Sequence, residues 1–355
     1  MTAVNKARTL RNAADLIDAG FASPGRLPDL ERVAARYAVA ISPLMAELVD
    51  NDNLHDPIAR QFVPDEAELV SIDAERADPI GDKAHEVVPG LIHRYPDRVL
   101  LKLANICAVY CRFCFRREMV GPGQKAHLDD AEIEQALAYI AAHDDVWEVI
   151  VSGGDPLVLS PRRLASLSAK LGAIPHVKVL RWHSRVPLVA PERVTDEMIA
   201  ALKAEGVTTW LAVHANHPSE FTGAGQLALG RIADAGIPMV SQTVLLKDVN
   251  DDARTLAGLM RAFVQNRVKP YYLHQGDLAP GTSHLRTGIA DGRALMKDMR
   301  GSASGLCQPT YVLDLPGGYG KVPIGPCYIG ETSSASWCVE DPQGGRHAYP
   351  PSGDG

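Results

Sequence analysis

"RVLLKLANICAVYCRFCFRRE", residues 98–118, joins a short apolar run to a loop in which Cys107, Cys111 and Cys114 stand in the spacing C-x3-C-x2-C, with Arg116 and Arg117 just beyond. The apolar run reads as a strand. The loop gathers three of the chain's six cysteines within eight residues. In a reducing compartment, clustered thiols point to metal or catalysis rather than to disulfides. Soft sulfur ligands favour iron–sulfur clusters, zinc or copper(I). A structural zinc site takes four ligands and an all-cysteine cubane takes four cysteines. Cys307, Cys327 and Cys338 are distant singles. Three local thiolates would bind three irons of a cubane and leave the fourth open to an exogenous chelator.

Downstream, short apolar runs alternate with helical stretches. Strand candidates are "RVLLKLAN", "WEVIVSG", "VKVLRWHS", "TTWLAVHA", "MVSQTVLL" and "KPYYLHQ". Between them lie helix candidates such as "DAEIEQALAYIAAH" and "DARTLAGLMRAFVQN", several opened by Ser, Thr or Asp and closed near Gly or Asn, as caps require. Six β–α units imply an α/β fold with parallel strands. Polar residues cluster at the strand ends: Ser152 to Asp155, Ser184 with Arg185, His214, Gln242, and Gln275 to Asp277. An open sheet binds ligands at one crevice, whereas a barrel uses the whole ring of loops at its C-terminal face. Six polar-tipped strands favour the barrel.

The same reading divides the chain into four parts. Residues 1–90 form an N-terminal helical region that begins with an amphipathic helix, 91–302 the barrel, 303–340 a C-terminal segment around "TYVLDLPGGYGK", and 341–355 a flexible tail. The 355 residues carry a net charge of −7, which argues against a general nucleic-acid binder. No apolar run approaches the ~20 residues that span a bilayer, and the start lacks an apolar signal core. A cytoplasmic protein without membrane partners is expected.

"CAVYCRFCFRRE" together with "HRYPDR", "VSGGDPL", "SRVPLV", "HANHP", "SQTVLLKDVND", "PYYLHQGDL" and "YVLDLPGGYGK", in this order, resembles the lysine 2,3-aminomutase family of radical S-adenosylmethionine enzymes over residues 55–330. The resemblance implies a partial (β/α)6 barrel of the TIM type. It also implies three cofactors: a [4Fe–4S] cluster on Cys107, Cys111 and Cys114, S-adenosylmethionine, and pyridoxal 5′-phosphate. Ser152, Gly153, Gly154 and Asp155 match the segment that approaches the methionine end of S-adenosylmethionine, with Asp155 accepting from its ammonium. Ser184, Arg185, His214 and Gln242 are placed around the same molecule. Lys321 matches the lysine that carries pyridoxal phosphate, and Arg94, Tyr95 and Arg98 match its phosphate-binding residues. Arg116 corresponds to the residue holding the substrate carboxylate. Asp277 and Asp314 correspond to the pair holding a distant ammonium.

The implied reaction interconverts L-lysine and β-lysine, with an electron donor such as flavodoxin or ferredoxin. A glutamate-specific relative is the alternative within the family, and a zinc-containing binding protein the alternative outside it. Long relatives carry a zinc site built from a cysteine in the "VLLxxVND" region and three near the C-terminus. Here Asp252 takes the first position and the C-terminal cluster is missing. No zinc is expected, and a homodimer stays compatible with the sequence. Short relatives make (R)-β-lysine for attachment to translation elongation factor P, the role toward which the length of this chain leans.

Overall fold

Short polar caps and prolines break the N-terminal region into small helices. The computed structural model describes residues 8–349 apart from 54, 122, 334 and 335. Helix α1 (Ala13–Asp18) starts where the Asn12 side chain accepts the Asp15 N–H; α2 (Leu27–Arg36) has proline in its first turn. Ser42 caps α3 (Pro43–Leu48), and Asp56 caps α4 (Pro57–Phe62) through the amides of Ile58 and Ala59. The amphipathic helix expected from the first residue is therefore much shorter. Leu10 instead forms an antiparallel bridge with Ile41, and residues 1–7 lie outside the described part.

The sheet begins earlier than expected, with β1 (Glu86–Val88) and β2 (Leu91–Tyr95) running antiparallel into β3 (Arg98–Ala104). Then come α5 (Asp130–Ala141), β4 (Glu148–Gly153), α6 (Pro161–Gly172), β5 (Val179–Ser184), α7 (Val186–Val189), α8 (Asp196–Ala201) and β6 (Thr208–His214). They are followed by α9 (Gly223–Asp234), β7 (Met239–Val244), α10 (Ala253–Gln265), β8 (Val268–His274) and α11 (Ile289–Ser302). β3 to β8 pair in parallel and in chain order, the six-stranded core that the apolar runs imply. β9 (Thr310–Leu315) adds a further parallel strand beside β8, and β10 (Gly320–Pro323) returns antiparallel. The first part of the segment expected as a C-terminal extension, through β10, thus continues the barrel sheet.

Strand alternation decides what faces inward. On β5, Trp182 is fully buried and its indole N–H donates to the Leu202 carbonyl, whereas Arg181 and His183, on the other face, line the central cavity. The two ends of the sheet meet across that cavity: the Lys321 amide on β10 donates to the Tyr95 hydroxyl on β2 at 2.8 Å. Asp252, where the resemblance implies a zinc-ligating cysteine in long relatives, caps α10 by accepting the Thr255 N–H.

A second, three-stranded antiparallel sheet comprises β11 (Ile329–Ser333), β12 (Ser336–Glu340) and β13 (Arg346–Tyr349). Part of the expected tail is therefore ordered into a strand. Asp341 makes the turn: its carboxylate accepts from the amides of Gln343 and Gly345, and β13 pairs back from Glu340↔Arg346 to Trp337↔Tyr349. Residues 350–355 lie outside the described part.

Candidate active site

The loop after β3 carries the three thiols and is held from two directions. From the barrel, the Gly154 amide donates to Ala104 O and the Asp155 amide to Ile106 O. A Cβ on Gly153 would meet Ala104 O at 2.3 Å, and one on Gly154 would meet Ile106 O at 2.4 Å. The glycines of "SGGD" thus permit close approach of the thiol loop, and both also line the central cavity. From the N-terminal layer, the fully buried Glu68 accepts from Arg112 and Arg117 of the loop. Burial alone would raise the Glu68 pKa, but the two guanidiniums hold it below its usual value.

Every residue expected to bind the cluster, a cofactor or substrate lines one cavity of about 540 Å³, within the usual range for small-molecule sites. Cys107, Cys111 and Cys114 form part of its wall, and burial pushes the Cys114 thiol up to about 11. Ser152, His214 and Gln242 stand at the ends of β4, β6 and β7. Burial, then the charge of Arg185, keep the His214 imidazole neutral; its Nε2 lies 3.2 Å from Asn216 Oδ1.

Asp155 and its neighbours form a closed network. The Asp155 carboxylate accepts from Ser184 Oγ at 2.8 and 3.0 Å, from the amides of Arg185 and Val186 at 2.7 and 3.2 Å, and from the Leu157 amide at 3.0 Å. It ties the end of β4 to that of β5 before any ligand ammonium arrives. Arg185 donates to Cys111 Sγ at 2.8 Å, to Gln61 Oε1 at 2.6 Å and to Glu220 Oε2 at 2.7 Å. Gln61 and Glu220, which the sequence reading missed, orient this guanidinium beside the thiols.

A second set surrounds Asp82, also unanticipated in its unpatterned loop "DPIGDKAH". Its carboxylate accepts from Arg94 at 3.1 Å and from Arg116 at 2.8 and 3.2 Å. Burial would raise its pKa, but Arg116 and Arg94 hold it down. Two guanidiniums share one carboxylate, so the patch stays net positive and suits an anionic ligand. Arg98 stacks over the Tyr95 ring at 3.8 Å and pairs with Asp97 at 2.6 Å.

Lys321 lies in the third set. Its ammonium is hydrogen-bonded to Asp314 Oδ2 and lies 3.4 Å from His274 Nδ1, which is 3.3 Å from the same Asp314 oxygen. Beside them, burial and the charge of Asp314 raise the Asp277 carboxyl to about 7. His183 Nε2 is buried with no hydrogen-bond partner among the described residues, and burial and the charge of Arg181 keep the ring neutral. Neither histidine was anticipated. His274 falls inside the quoted "PYYLHQGDL", but only the sheet's curl reveals what it faces.

The donor sets fit the cofactors that the motifs imply. Three half-buried thiols of one loop suit a cluster with an open corner. The net-positive arginine patch suits a phosphate or a carboxylate, and an inward lysine on a short strand suits an aldehyde cofactor. No helix among the described residues is long and apolar enough to cross a membrane. Comparison with known proteins agrees. Residues 101–259 match the model of the Radical SAM superfamily, and residues 296–350 that of Lysine-2,3-aminomutase. The L-lysine 2,3-aminomutase of Acetoanaerobium sticklandii is 41% identical over 86% of this chain and 74% of its own length. That of Fusobacterium nucleatum is 42% identical over 84% and 70%. A glutamate 2,3-aminomutase of Clostridioides difficile is 35% identical over 84% and 70%. Motifs, strand order and these similarities together place the chain in the lysine 2,3-aminomutase family of radical S-adenosylmethionine isomerases.

Proposed function

We propose that this enzyme interconverts L-lysine and β-lysine by shifting an amino group between neighbouring carbons. The observation that carries the reading is that Asp314, with Asp277 beside it, already binds a primary ammonium, that of Lys321. The family's cofactors, a [4Fe–4S] cluster, S-adenosylmethionine and pyridoxal 5′-phosphate, supply one-electron abstraction of hydrogen from an unactivated carbon and a conjugated ring that spreads the resulting spin.

Cys107, Cys111 and Cys114 would hold the cluster, and Ser152, His214 and Gln242 would face S-adenosylmethionine. Asp155 and Ser184 act one step back, by fixing the strand ends on which those contacts stand. Lys321 would anchor the pyridoxal group, with Arg94, Tyr95 and Arg98 on its phosphate. Arg116, its guanidinium oriented by Asp82, would take the substrate carboxylate. When Lys321 gives up its charge, Asp314 is freed to accept the substrate's side-chain ammonium. A carboxylate about 4 Å from an ammonium is worth on the order of 4 kcal/mol at an effective dielectric of 20, before desolvation. The Asp277–Asp314 pair therefore favours lysine and repels the second carboxylate of glutamate.

Anaerobic reconstitution with iron and sulfide, followed by incubation with the two organic cofactors, reductant and either amino acid, tests this reading. β-Lysine should form from lysine, with no β-glutamate from glutamate; the reverse pattern, or no β-lysine, sinks the assignment. A flavodoxin or ferredoxin donor, a homodimer and use of the product on elongation factor P extend the same reading. They are tested by turnover with each reduced donor, by light scattering and by the mass of the modified factor.

A further inference from the structure

We propose that His274 is the base that takes the proton from the Lys321 ammonium and so generates the free amine. The inference rests on the reading of Lys321 as the cofactor-anchoring lysine. Its physical basis is one ring nitrogen with two competing neighbours. His274 Nδ1 is 3.4 Å from Lys321 Nζ and 3.3 Å from Asp314 Oδ2. A ring nitrogen offers either a lone pair or a proton, so the two contacts are used in turn. With the proton on Nε2, Nδ1 accepts from the ammonium. After transfer, Nδ1–H donates to Asp314.

The step balances without a further reactant. One N–H bond of the ammonium breaks and leaves its electron pair on Nζ. The proton forms a new N–H bond with the imidazole lone pair. One positive charge moves from Nζ to the ring, and Asp314 borders both positions, so the buried site never carries an uncompensated cation. The reverse transfer reprotonates Lys321 when substrate displaces it.

The neighbouring groups are poorer candidates. Burial opposes ionisation of Asp314, yet the charge and hydrogen bond of Lys321 hold its carboxyl far below the usual range, which makes it a weak base. Asp277 makes no hydrogen bond to Nζ among the described contacts. His274 itself is kept uncharged by burial and by Lys321, so its lone pair is available. The other groups facing it are His183 on β5, His214 on β6 and Tyr272, whose ring meets it edge-on at 5.7 Å. Both histidines are neutral, and the Tyr272 hydroxyl is bonded to that of Tyr271. Tyr272 offers Nζ only its ring face, 5.5 Å from the centroid, and none of the three makes a hydrogen bond to Nζ among the described contacts.

A purely structural role, with His274 as a hydrogen-bonding prop for Asp314, makes a different prediction. Glutamine would keep the prop but hold no proton. The test uses the full chain stripped of pyridoxal phosphate, as wild type, His274→Gln and His274→Ala. Covalent attachment of added pyridoxal phosphate at Lys321 is trapped with borohydride over time and counted by peptide mass. In parallel, acetylation of Lys321 by acetic anhydride reads amine availability with no cofactor present. Both variants should attach cofactor ~100-fold or more slowly, the usual scale for a lost general base. Both should also acetylate more slowly, and free imidazole should speed the alanine variant. Wild-type rates in His274→Gln overturn the proposal. Failure of wild type to attach pyridoxal phosphate at Lys321 would instead overturn the reading of Lys321. The acetylation rates would then still decide the role of His274, slower acetylation in the variants supporting it and equal rates refuting it.

Discussion

On the thiol side of the cavity the carboxylate of Asp155 accepts from a hydroxyl and three backbone amides, and Arg185 is shared among a thiol, an amide oxygen and a carboxylate. On the lysine side the Asp277 carboxylate has no hydrogen-bond donor among the described residues, and His183 keeps a buried nitrogen without a partner. One region is assembled from the protein's own groups, and the other leaves polar groups to be completed by what binds. Buried polar groups cost free energy until paired, so the difference locates where a ligand's polar atoms contribute most.

The strongest challenge to this contrast is to disable each side alone. Cys111→Ala and Lys321→Ala should both abolish turnover, with opposite residues of function. The cysteine variant should lose cluster iron yet attach pyridoxal phosphate, and the lysine variant should keep its iron and attach none. Iron content and cofactor absorbance check this. If either change removes both groups, the two sides are not independent.

A smaller effect separates the two aspartates. Asp155→Asn replaces a fully used acceptor and should destabilise the protein by ~1–3 kcal/mol, the scale for buried groups left unpaired. Asp277→Asn breaks no hydrogen bond and should leave unfolding in denaturant unchanged or improved at pH 8, while raising the KM for lysine. Equal stability losses would erase the distinction.

The smallest effect is a pH dependence. Asp277, with its folded pKa raised to about 7, binds its proton more tightly when folded. The stability this contributes is full below the unfolded carboxylate pKa and is lost as pH rises through about 7. Ammonium binding has the opposite sign, because it needs the ionised form, so the KM for lysine should climb as pH falls below about 7. Asp277→Asn should flatten both profiles.

Much of this was legible in the chain itself. The parallel strands announce themselves as apolar runs, because strands covered on both faces carry little alternation. The thiol spacing is a local signal, whereas Lys321, in a glycine-rich loop that alone reads as solvated, was reached through the family resemblance. Asp82, Glu220 and Gln61 are not, since each matters only through a guanidinium far away in sequence. His183 and His274 were hidden for another reason: a strand shows which residues share a face, but the curl of the sheet decides what that face meets. β1 and β13 were missed because they are short and largely exposed, and β2 because only Leu91 and Ile92 of its five residues are buried; register and turn chemistry hold them rather than an apolar pattern.

The hydrogen bond between Tyr95 and the Lys321 amide joins positions 226 residues apart. A chain emerging from the ribosome exposes its three-thiol loop long before the strand bearing Lys321 has been synthesised. The cavity around Lys321 therefore closes only when late-made β10 reaches back to early-made β2, after every other strand of the barrel sheet is in place.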